Sequence, residues 1–356
     1  MFTYRGVAYD VGSNFATGQG ELSRTVGDDE IRAQIAMIAQ ALNANAVTVY
    51  GTDLGRLETA ARAAIGHGLH VLLDPRLVDH PREEILRHLA DVGRLAETLR
   101  LEGASVALTV GAAHTIFTGG ITPGEHYHQR MANIYSDNDH YLLSPQSAAD
   151  LADAAPRLNA FLSEAATVAR GVFNGELSYS AAPFEQVDWT PFDAIGLMYY
   201  YQPRYLTPEQ HAAEIDRYRS WGKPIDIAGF GTATYRGAEE KAFFFWDVVD
   251  RSDFDELKIL DGIVRDEEAQ AAFHTKMFGI FDEAGIRGVT VTDFIHPTHP
   301  HSPDDPRLDL DTASLCIVKT IRERIADPAS PYTYEPKASF HAIAEYYGSF
   351  KAAAVA

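Results

Sequence analysis

Lys223-Pro224-Ile225-Asp226-Ile227-Ala228-Gly229-Phe230-Gly231 is the stretch from which the fold is read. It enters through proline, runs apolar for a few residues and leaves through Gly-Phe-Gly. Interior parallel strands are covered on both faces, so they read as short, nearly continuous hydrophobic runs rather than as alternating ones. Seven comparable runs occur, at 6–10, 46–50, 69–73, 105–110, 176–180, 194–199 and 288–293. Between them lie amphipathic segments that predict helices at about 28–43, 60–65, 81–100, 147–170, 207–221 and up to 284, with closing helices from near Asp311 and Lys337. A short linker joins the fifth run to the sixth.

Eight strand and helix pairs predict an α/β chain closed as a single (β/α)8 TIM barrel, with long loops after strands 4, 7 and 8 and with its chemistry at the C-terminal strand ends. One domain is expected over 1–350, with 351–356 a frayed tail. An open doubly wound sheet fits less well, because no G-x-G-x-x-G follows an early strand.

Composition narrows the partners. The 50 acidic residues exceed the 30 basic ones by 20, a charge that repels nucleic acid and anionic membrane surfaces. Cys316 is the single cysteine, so no intrachain disulfide forms. The start Met1-Phe2-Thr3-Tyr4-Arg5 lacks a signal-like apolar core, and a cytoplasmic location is expected. The partner expected is a small molecule. Oligomeric state is not legible.

Several short motifs carry a resemblance that runs nearly end to end: Thr48-Val49-Tyr50-Gly51-Thr52-Asp53-Leu54-Gly55-Arg56, Pro75-Arg76-Leu77, Lys223-Pro224, Thr234-Tyr235-Arg236-Gly237-Ala238 and Asp309-Leu310-Asp311-Thr312-Ala313-Ser314. With these the chain resembles the retaining glycoside hydrolase clan of eight-stranded barrels, and within it an actinobacterial group often labelled hydrolase or abortive infection protein. The resemblance implies an acid/base Glu at the end of strand 4 and a nucleophilic Glu at the end of strand 7. Ala113 and Gly229 occupy those places. Retaining hydrolysis needs two carboxyl groups about 5 Å apart, and neither residue supplies one. The expectation is therefore a pseudo-glycosidase performing a non-hydrolytic step of specialised metabolism: cyclisation, elimination or isomerisation. A hydrolase with displaced carboxylates and a carbohydrate or metabolite binder are the alternatives.

Candidate catalytic residues are His114, Tyr199, Tyr200, Asp10 and Asp293. Asp10 and Asp293 are preferred among the acids because strands 1 and 8 adjoin in a closed barrel; Asp74 and Glu176 are also read as lying near C-terminal strand ends. Candidate substrate contacts are Tyr9, Tyr50, Asp53, Arg76, Tyr179, Phe230, Phe294 and His296, since aromatic faces stack on rings and phenols donate hydrogen bonds. Strand alternation would turn Asp226 away from the pocket if Gly229 faces it. His296, His299 and His301 are interleaved with prolines and read as an extended rim loop, so no metal is expected. Gly229-Phe230-Gly231-Thr232 reads as a tight turn and no lysine ends a strand, so no cofactor is expected either.

Overall fold

The computed structural model describes residues 1–13, 16–17, 20–21, 27–134, 145–198, 207–253, 256–325, 327 and 330–353. Eight parallel strands close into a barrel in sequential order. They are β1 (Tyr4–Asp10), β2 (Ala46–Gly51), β3 (His70–Pro75), β4 (Val106–Ala112), β5 (Glu176–Ala181), β6 (Ile195–Met198), β7 (Ile225–Phe230) and β8 (Gly288–Val291). Pairing of β8 with β1, Tyr4 against Gly288 through Val7 against Val291, completes the ring.

Outside it run α1 (Asp28–Gln40), α2 (Leu54–Gly66), α3 (Arg82–Leu101), α4 (Pro145–Arg170), α5 (Pro208–Asp216), α6 (Glu267–Glu283) and α7 (Ala338–Ala353). Local chemistry sets several starts. Asp53 and Asp266 accept the N–H of the third helical residue in α2 and α6, and Thr207 forms a reciprocal capping box with Gln210 at α5. The C-terminal helix extends to Ala353, and residues 354–356 lie outside the described residues. Near Asp311 the expected closing helix is only a 3-10 turn, Leu310–Ala313.

The pairing of every strand with a helix fails once. Residues 182–194, between β5 and β6, contain no helix. Trp189 and Phe192, each at most 2% exposed, fill the outer layer there against Tyr179. Full burial of one such side chain stabilises the fold by about 1.5–3 kcal/mol, so two aromatics replace much of what a helix face would contribute.

In β7, strand alternation is broken. Ile227 pairs with Leu197, but the next pair is Gly229 with Met198; on the other side Ile227 pairs with Val289 and Phe230 with Val291. One residue is inserted as a bulge, which resets which side chains face inward. Asp226 consequently faces the barrel interior, contrary to the parity expectation. It lies at the floor rather than the mouth. There Arg287 makes a bidentate pair with Glu176 at 2.7 and 2.8 Å and donates through Nε to Asp226 at 3.0 Å. Tyr4 lies under this guanidinium, at 5.3 Å, and stacks on His70 at 4.2 Å. Glu176, expected near a C-terminal strand end, is the first residue of β5 and belongs to this floor.

Candidate active site

At the opposite end of the barrel, the strand termini bring together Asp10 from β1, Tyr50 from β2, Asp74 and Arg76 at the end of β3, and Asp293 and His296 beyond β8. Asp10, Tyr50, Asp74 and Asp293 are buried, while the His296 side chain is 25% exposed and offers the cluster to solvent. His296 is the hub. Its Nε2 lies 3.3 Å from Asp293 Oδ2 and 3.4 Å from the Tyr50 hydroxyl. The Arg76 guanidinium covers the Tyr50 ring at 4.2 Å and pairs with Asp74.

Electrostatics follow from this crowding. Burial disfavours a charged His296 ring, but Cys316 and the Asp293 carboxylate against it outweigh burial and hold the imidazole well above its ordinary value. Burial, then Asp293 and Asp10, push the Tyr50 phenol well up. Burial also raises Asp74, with Arg76 opposing. Both shifts favour the proton-bearing forms, an imidazolium beside a neutral phenol, so that two potential proton donors lie side by side.

Polar atoms at this mouth lack partners within the protein. Asp293 Oδ1, Asp74 Oδ1 and Arg76 Nε are buried without a hydrogen bond. Such groups cost about 1–3 kcal/mol each when left unmet, so a polar ligand or solvent is the natural counterpart. Asp10 differs, because Oδ1 accepts from Gly12 N–H at 2.8 Å and Oδ2 from the Ser13 hydroxyl at 2.9 Å. It fixes the loop that follows β1.

Of the sequence candidates, Asp10, Tyr50, Arg76, Asp293 and His296 converge. Others are elsewhere. Tyr9 is fully buried and donates its hydroxyl to Gln34 of α1. Phe230 packs on Phe278 and Phe281 of α6, and Phe294 is buried against Tyr9. Tyr179 packs among Trp189 and Phe192 and donates its hydroxyl to Glu185. These four line the layer between barrel and helices, not the mouth. Asp53 is the α2 cap.

His114 is also turned outward. Its Nε2 bonds Val110 O at 2.9 Å, its Nδ1 the Thr118 hydroxyl at 2.7 Å, and its ring lies between Tyr179 and Phe161 of α4. Burial lowers it to about 4, against the Val110 hydrogen bond, so it is a neutral structural imidazole. Tyr199 and Tyr200 lie outside the described residues.

Two members of the cluster, Cys316 and His299, escape simple reading of strand ends. Asp74 was legible as a strand-end acid. Cys316 arrives through the bond of Ile317 N–H to Asp293 O, a contact without local signal. His299 is brought under His296 by the 296–299 turn, with ring centroids 5.5 Å apart. Among the described residues no three of His, Cys, Asp and Glu are arranged to hold a metal ion, and no helix is long and apolar enough to cross a membrane.

The two places where the sequence resemblance implies glutamates are occupied differently. Ala113 follows β4 in the left-handed region, φ 44°, and donates its N–H to Ser180 O. Gly229 abuts Thr292. Two sizeable surface clefts, of about 480 Å³ beside Arg32, Glu58 and Arg62 and about 290 Å³ beside Thr232, Tyr235 and Phe273, lie away from the mouth cluster.

No protein-family model matches the chain, and no curated protein does. Solved structures do. A GH113 β-1,4-mannanase aligns with a TM-score of 0.57 at 13% identity over 98% of this chain and all of its own. A GH113 β-mannanase from Alicyclobacillus acidocaldarius aligns with a TM-score of 0.57 at 16% identity over 98% of both chains. The β-glycosidase BGL167 aligns with a TM-score of 0.51 at 12% identity over 98% of this chain and 96% of its own. At such identities the likeness is one of fold alone: the chain is a TIM barrel similar in shape to these glycoside hydrolases.

Proposed function

We propose that this barrel is a cofactor-independent enzyme that moves protons on a small molecule in a non-hydrolytic step, such as an isomerisation, elimination or cyclisation. The observation that carries this reading is the position of His296 Nε2, within 3.3 Å of Asp293 and 3.4 Å of Tyr50 at the strand ends. A carboxylate beside an imidazole fixes its orientation and stabilises its charged form, which makes it a competent proton donor. Tyr50 is the second donor, Arg76 keeps it in place from above, and the orphaned oxygens of Asp74 and Asp293 offer acceptors for ligand O–H or N–H groups.

Hydrolysis through Asp10 and Asp293 is the weaker reading. Both Asp10 oxygens already accept hydrogen bonds from Gly12 and Ser13, which leaves Asp10 poorly suited to attack or to proton shuttling. Crystals soaked with small polyols, hydroxyketones and aromatic acids test the assignment. Ligand density within hydrogen-bond reach of His296, Asp293 or Tyr50 is expected, and a panel that places every ligand elsewhere contradicts it. Turnover of aryl glycosides, abolished by Asp10→Asn, would restore the hydrolytic reading.

A further inference from the structure

Resting on this proton-handling reading, we propose that His299 is the general base that works opposite His296, and that the pair enolises a substrate bearing a C–H bond next to a carbonyl. The two rings lie 5.5 Å apart and are nearly perpendicular at 68°, and the His299 N–H donates to the His296 carbonyl at 3.0 Å, so one turn sets both. The edge of Trp246, 4.5 Å away at 86°, fixes the far side of the His299 ring. Its Nδ1 is buried with no hydrogen-bond partner. His114 spends both ring nitrogens; His299 keeps one idle beside His296, and an imidazole with an idle ring nitrogen retains an uncompeted lone pair.

The surroundings divide the labour. His296 faces Asp293 and Tyr50, whereas the rings against His299 are those of His296 and Trp246, and the charges that act on it are those of His296 and Lys337. Burial first, then the positive charges of His296 and Lys337, hold His299 well below the ordinary imidazole value, the reverse of His296. Two titratable groups driven apart in this way are how acid and base roles separate at one pH.

The step balances without another reactant. The C–H bond breaks, its proton passes to His299, and its electron pair forms the enol C=C while the carbonyl oxygen takes the His296 proton. Return of the His299 proton to the same carbon, with the enol proton going back to His296, restores the enzyme; where that carbon carries a hydroxyl, protonation of the former carbonyl carbon with loss of that hydroxyl's proton to His296 shifts the carbonyl and restores the enzyme likewise. Base catalysis of this kind contributes about 10²–10⁴-fold.

Dihydroxyacetone in D2O is a suitable probe, read as loss of its CH2 proton signal by NMR. The wild-type protein should exchange these protons faster than buffer. His299→Asn and His296→Asn should each slow the excess rate at least about tenfold, and His299→Asn should also remove the acid limb of the rate-pH profile. Circular dichroism and melting separate this from misfolding; if His299→Asn does not fold, His299→Gln takes its place. Loss in His296→Asn with full exchange in His299→Asn overturns the proposed base and leaves the Asp293–His296–Tyr50 reading standing. Exchange indifferent to both changes overturns both, and no exchange above buffer by the wild type overturns the enolising pair.

Discussion

Gly229 and Thr292 occupy one another's space: a Cβ on Gly229 would come within 2.7 Å of Thr292 Oγ1. The end of β7 has therefore been closed to side chains by its neighbour beyond β8. An acidic residue cannot be returned to this place by a single change without moving Thr292, whose β-branched side chain has few rotamers to move into.

Gly229→Glu should destabilise the protein by about 1–3 kcal/mol through this overlap. Thr292→Ala should relieve part of that cost. Urea denaturation of the two single variants and the double gives the coupling, expected to be favourable by at least about 0.5 kcal/mol. Strict additivity would show that the contact is not what excludes a side chain. Glycosidase activity in Gly229→Glu with Ala113→Glu would further mark a recently altered pocket.

The barrel floor offers a pH-dependent test. Arg287 holds Glu176 and Asp226 together, and burial already raises Asp226 despite the guanidinium. Arg287→Met leaves two carboxylates facing one another. The loss should be about 1–3 kcal/mol at neutral pH, discounted from a fully buried pair because these side chains are 20–33% exposed. A carboxyl raised in the folded state binds its proton more tightly there, so the deficit should shrink as pH falls. Denaturation midpoints at pH 7 and pH 4.5 check it, and an unchanged deficit would contradict it.

Glu267 predicts the opposite slope. Burial raises it, but Arg265, the Ala338 N–H and Lys319 prevail and bring it down to about 2. A depressed carboxyl contributes stability that is complete above its unfolded value near 4.5 and is lost as pH falls towards 2. Glu267→Gln should cost about 2 kcal/mol at pH 7 and roughly a quarter of that near pH 2.5, as read by thermal melting at both pH values. Equal cost at both would assign the effect to packing.

The barrel was legible because interior parallel strands leave a hydrophobic signature wherever they occur, and β1 to β8 each overlap one of the expected runs. The short linker after β5 was read as well, but not its filling by Trp189 and Phe192, which has no periodicity to read. At the mouth, Asp10, Tyr50, Arg76, Asp293 and His296 followed from strand-end position alone. Tyr9 and Phe294 failed because each adjoins a residue turned to the mouth, Asp10 or Asp293, and adjacent side chains take opposite faces; Tyr179 and Phe230 fall on the outward face of their strands. Tyr9 and Asp10, as neighbours on one strand, therefore cannot share one pocket. Asp226 does stand away from the mouth, but because it lies at the barrel floor on Arg287; the bulge between Ile227 and Gly229 breaks the alternation on which the parity argument rests. Cys316 came from a separate segment, which only tertiary contact reveals.

The pairing of His296 with Asp293 is the point on which the proposed chemistry depends, and NMR titration of the isotope-labelled His296 ring measures it directly. In the wild type the ring should stay protonated well above the ordinary imidazole value near 6.5, and Asp293→Asn should bring its titration markedly down. Titration at or below 6.5 in the wild type, or a value indifferent to Asp293→Asn, would contradict it.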